Sequence, residues 1–148
     1  LGTQTGLLLS PRTITELFIP QYRRLFSFYR QRGVLIEFHS CGHIMPLLDT
    51  FIDLGINILN PIQASANNLE TMRRVTLGRM ALHGGISSSL LVSGPLEAIA
   101  DEVKNRIHQL GSTGGYFCAP DQEMPWPPEH ERAFERALAL FGRYPLIG

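Results

Sequence analysis

The chain has 148 residues, 44% of them hydrophobic and 18% charged, which bounds it at one ordinary globular domain. Thirteen basic residues balance thirteen acidic ones, so no nucleic acid and no anionic membrane is expected as the main partner. No apolar run approaches the roughly 20 residues of a bilayer span, the start lacks the pattern of a signal peptide, and two cysteines are too few for a disulfide framework, which makes a reducing, cytoplasmic location the expectation.

Residues 1–10 read as a Gly/Thr-rich loop followed by three leucines. With no initiator Met ahead of it, this loop is expected to belong to a longer protein. Ser10-Pro11 is a helix-start signal. Apolar residues from Ile14 to Tyr29 recur at helical spacing, with a break or kink expected at Pro20 and a stop at Gly33. Val34 to Phe38 reads as a strand. Ile44, Leu47, Leu48, Phe51 and Ile52 form a helical face that Gly55 stops. Ile56 to Leu59 is a second strand, closed by Asn60-Pro61. Asn67 or Asn68 caps a helix carrying Leu69, Met72 and Val75. Met80 to His83 is a third strand, ended by Gly84-Gly85. Ser93-Gly94-Pro95 opens a helix through Leu110, and Tyr116 to Ala119 is a fourth strand. A proline-rich loop, 120–128, leads to a last helix carrying Ala133, Phe134, Ala137, Leu138 and Phe141.

Short apolar strands joined by long helical connections predict a parallel α/β sheet. Polar residues gather where strands end: His39, Cys41 and His43; Asn60 and Gln63; His83; Cys118 and Asp121. The opposite ends are plain. One functional rim favours part of a (β/α)8 barrel, four strands with their outer helices, over an open dinucleotide-binding sheet, since no Gly-x-Gly-x-x-Gly turn follows a strand. Half a barrel leaves open edges and an uncovered interior, so either a missing N-terminal half-barrel or a homodimer is expected to cover it.

His39 and Cys41 are two residues apart, so an extended strand points both to one side. One imidazole nitrogen and one sulfur suit zinc, whose catalytic sites take three protein ligands and keep one position open. Cys118, at another strand end, is the candidate third ligand. Two blander readings stand beside this one. A free cysteine is often a small buried hydrophobe, and Cys41 and Cys118 are the only pair that could form a disulfide. His83, next to two glycines, and Asp121 are candidate acid/base groups. Gln4, Asn60 and Gln63 are candidates to hold polar groups of a small-molecule substrate. His43 reads as a helix-start histidine.

Leu1-Gly2-Thr3-Gln4, Phe38-His39-Ser40-Cys41-Gly42, Asn60-Pro61-Ile62-Gln63 and His83-Gly84-Gly85-Ile86-Ser87 together resemble the uroporphyrinogen decarboxylase superfamily. Gly114 to Pro120 and Pro127 to His130 resemble its closing strand and helix. The resemblance covers essentially the whole chain and implies the C-terminal half of a (β/α)8 barrel. It implies one of two chemistries. One is zinc-dependent methyl transfer from a corrinoid, carried by a partner protein, to a thiol such as coenzyme M. The other is metal-free decarboxylation of uroporphyrinogen in porphyrin biosynthesis. The His-x-Cys pair and distant Cys of the methyltransferases fall on His39, Cys41 and Cys118, which favours that branch. A non-catalytic half-barrel assembly module is the remaining expectation.

Overall fold

The computed structural model describes residues 1–146. Four strands form one sheet in the order β1 (Glu37–His39), β2 (Ile58–Ile62), β3 (Ala81–Ile86) and β4 (Tyr116–Pro120), every neighbouring pair parallel. The helices are α1 (Pro11–Thr13), α2 (Ile19–Arg30), α3 (Leu48–Asp53), α4 (Leu69–Thr76), α5 (Ser88–Ser93), α6 (Ala98–Gly111) and α7 (Pro128–Phe141). Among the described residues no helix is long and apolar enough to cross a membrane.

The sheet is covered on one face only. Phe38, Leu59 and Leu82 alternate inward toward the helices and are buried. Their chain neighbours Glu37, His39, Asn60 and His83 lie on the other face, exposed or half-buried. Parallel sheets in open doubly wound folds carry helices on both faces. A sheet clothed on one side, with consecutive strands adjacent, is a sector of a (β/α)8 barrel. Phe38 anchors β1 in this arrangement. Its ring centroid lies 5.2 Å from Tyr22 and 5.1 Å from Phe51. A second cluster packs α6 and α7 around Val103, Ile107 and Phe134.

Four local expectations change. Pro20 does not break the first helix. A wide π-helical turn, Ile14–Phe18, precedes it, and the Ile19 N–H bonds to the Ile14 carbonyl. The helix absorbs the missing donor by widening there. The first strand begins at Glu37, not Val34, because pairing starts where Ile58 is available; Val34 and Leu35 stay exposed. The second strand continues past Asn60-Pro61, with an irregular step between Leu59 and Ile62 before the ladder resumes at Ile62 and Gly84. The third strand likewise runs through Gly84-Gly85. Gly84 has φ +116°, and a Cβ there would lie 3.0 Å from the Ile62 nitrogen, so the close approach of β2 requires glycine. Helix α5, capped by the Ser87 hydroxyl, had no apolar period long enough to announce it.

Candidate functional site

The site is built at the C-terminal end of β1. His39 Nδ1 lies 2.8 Å from Asn60 Oδ1 on the adjacent strand, where register places the two residues side by side. An amide oxygen only accepts, so Nδ1 carries the proton and Nε2 keeps its lone pair. Nε2 faces Cys41 Sγ at 3.4 Å. Gln122, just beyond β4, donates its amide N–H to the same sulfur at 3.4 Å.

The turn that carries Cys41 is held from several sides. The Gly42 N–H donates to Gln63 Oε1 at 2.6 Å, and Asn67 Nδ2 donates to the Gly42 and Gln63 carbonyls. The His43 N–H donates to the Thr3 carbonyl at 2.6 Å, and the Leu1 amino group donates to Ser40 Oγ. Gly42 has φ +82°, and a Cβ there would meet the Thr3 oxygen at 2.4 Å. The residue 1–7 loop is therefore packed backbone to backbone on the turn.

A second imidazole sits on the same face. His83 Nδ1 donates to Glu37 Oε1 at 2.7 Å, across β2, and its ring lies 5.7 Å from Phe117. His39, Asn60, His83, Gln122, Trp126 and Phe134 line a cleft of about 700 Å³. Asp121, Glu123, Glu131 and Glu135 add four carboxylates to that lining, and among its described residues there is no Lys or Arg.

Other expected residues are placed elsewhere. Cys118 does not join His39 and Cys41. In the β3–β4 register His83 pairs with Phe117 and Gly84 with Cys118. Phe117 thus shares the face of His83, and Cys118 takes the opposite one, packed in the α6–α7 cluster. Burial pushes its thiol up to about 11, with Tyr116 beside it. Both cysteines are free. Asp121 is buried, and its Oδ1 accepts from the Ser88 N–H at 3.1 Å and from the Ser88 hydroxyl at 2.5 Å, so this carboxylate fastens the β4 end to α5. Gln63 is buried against the turn, and Gln4 contacts Gln63 and Ser65 outside the cleft lining. His43 donates from Nδ1 to the Ala66 carbonyl, as a helix-start histidine would. Asn60 and His83 line the cleft. Gln122 and Glu37 are not singled out by the sequence, and Asn67, one of its two cap candidates, holds the Cys41 turn while Asn68 caps α4. Glu37 was findable, since it precedes His39 by two and so shares its face.

Among the described residues no three His, Cys, Asp or Glu side chains gather closely enough to hold a metal. The pair itself does fit one. Zinc bonds of about 2.3 Å to sulfur and about 2.0 Å to nitrogen subtend a tetrahedral edge of about 3.5 Å, close to the observed 3.4 Å. Asn60 provides the acceptor that a metal-bound histidine ordinarily has on its other nitrogen.

The model of the family described as uroporphyrinogen decarboxylase (URO-D) matches residues 2–138. The chain belongs to the uroporphyrinogen decarboxylase family. Its fold is similar to part of a methyltransferase from Methanosarcina mazei, with a TM-score of 0.76 at 21% identity. That alignment covers 96% of this chain and 41% of the methyltransferase, so the family member described here spans about two-fifths of that protein's length. No curated protein matches the chain.

Proposed function

We propose that this uroporphyrinogen decarboxylase-family chain carries the metal-binding and acceptor-handling rim of an enzyme that transfers a methyl group from a corrinoid, held by a partner protein, to a thiol. The observation that carries this reading is the His39–Cys41 pair, 3.4 Å apart and oriented by Asn60. Zinc bound there would supply Lewis acidity that favours the thiolate form of an acceptor. The chain's own residues do the rest. Asn60 fixes which nitrogen of His39 is basic. Gln63 and Asn67 hold the Cys41 turn rigid, so that sulfur and nitrogen stay aimed at one point. Trp126 and Phe134 give the cleft apolar walls.

The exposed carboxylates Glu123, Glu131 and Glu135 in the lining weigh against the decarboxylase alternative. A polycarboxylate porphyrinogen entering this part of the rim would meet like charge without a compensating Lys or Arg. The test is an assay of the protein, with its natural flanking sequence, for thiol-dependent demethylation of methylcobalamin and separately for consumption of uroporphyrinogen. Demethylation that is lost in Cys41→Ser supports the proposal. Uroporphyrinogen consumption, with no thiol-dependent demethylation, overturns it.

A further inference from the structure

A catalytic zinc takes three protein ligands, and His39 and Cys41 supply two. The remaining polar side chains near them divide clearly. Cys118 is on the helix side of β4. Asp121 is engaged by Ser88, and His43 by the Ala66 carbonyl. His83 is tied to Glu37. Asn60 is taken up by His39 Nδ1, on the side of the ring away from Cys41, and Gln122 reaches the pair from the cleft side, 3.4 Å from Cys41 Sγ.

Gln122 is not there by chance of a loose loop. The Asp121 N–H donates to the Ile86 carbonyl at 2.9 Å, extending the ladder past β4. The buried Asp121 carboxylate is held by Ser88, and the Ser88 hydroxyl also lies 3.0 Å from the Gln122 carbonyl. The backbone on both sides of the Gln122 Cα is thus pinned to β3 and α5, and the side chain spans the mouth of the cleft from β4 to the end of β1.

We propose that Gln122 is the third protein contact of the metal position, standing where a second thiolate was expected. The inference rests on the reading that His39 and Cys41 hold a metal. A half-turn about the last side-chain bond presents the amide oxygen in place of the amide nitrogen. The charge consequence is direct. Zinc with two thiolates and an imidazole is neutral; with one thiolate, an imidazole and an amide it keeps one positive charge. Such a site binds metal less tightly and polarises an acceptor more strongly.

Cobalt(II) titrated into the metal-free protein tests this without any activity assay. The near-ultraviolet thiolate-to-cobalt band counts sulfur ligands. The proposal expects a one-thiolate band in the wild type, the same band in Cys118→Ser, and a band of twice the intensity in Gln122→Cys. It also expects cobalt affinity to rise by at least about 100-fold in Gln122→Cys, more than a supporting partner contributes, and to fall in Gln122→Ala. Circular dichroism of each variant checks the fold. A band halved by Cys118→Ser, or unchanged in Gln122→Cys, overturns the Gln122 assignment and leaves the His39–Cys41 reading standing. No band in any of these proteins overturns both.

Discussion

His39 donates from one ring nitrogen to Asn60 and offers the other to Cys41, so its usefulness depends on a neighbour that never reaches the cleft's chemistry itself. Asn60→Leu removes the acceptor and frees the ring to turn. It is expected to weaken zinc binding by about 10- to 100-fold, read by competition with a chromophoric chelator, while the urea midpoint moves little. Cys118 shows the opposite case of a thiol made inert. Burial raises it from an ordinary 9.0 to about 11, so the fold prefers the protonated form. The stability this contributes is complete below pH 9 and is lost as pH rises to about 11, on the order of 2–3 kcal/mol. In the folded protein Cys118 is expected to resist iodoacetamide at pH 8 and to react as pH approaches 11, as peptide mass mapping would show. Rapid labelling of Cys118 at pH 8 contradicts that environment.

At the scale of elements, the site depends on one tight crossing. The residue 1–7 loop meets the Cys41–His43 turn at Gly2 and Gly42, each of which would drive a Cβ into the other segment's backbone. Gly42→Ala combines that clash with φ +82° and is expected to cost more than about 2 kcal/mol, measured by urea unfolding. Phe38→Ala removes the buried ring between His39 and its helices and is expected to cost about 3–5 kcal/mol. The His39–Cys41 pair and its strand-end setting were legible in the sequence because two residues of spacing fix a shared side. Cys118 was not, because which face a residue takes in β4 depends on where the strand begins and how it registers with β3. A strand end alone does not give that parity. Gln63 and Asp121 carry the polar groups expected of a site, and tertiary contacts turned both toward the backbone. Strand β2 ran past a proline because its cross-strand partner at Gly84 lacks a side chain.

For the whole molecule, the alternation of helix and parallel strand was enough to read a barrel sector, since every strand in order lies beside the next. What the pattern also implied is visible as exposed apolar surface. Phe117 on the inner face is 51% exposed, and Leu35 ahead of β1 is 70% exposed. The 148-residue chain alone is expected to self-associate, with a sedimentation coefficient that rises with concentration and Phe117→Lys reducing the effect. A concentration-independent monomer contradicts this.

Zinc stoichiometry reads whether His39 and Cys41 hold one metal ion together, as proposed. Protein purified under zinc-replete conditions and measured by inductively coupled plasma mass spectrometry is predicted to hold close to one zinc per chain, lost in both His39→Ala and Cys41→Ser and retained in Cys118→Ser. A zinc-free wild type, or zinc that survives the loss of His39 and of Cys41, contradicts the account.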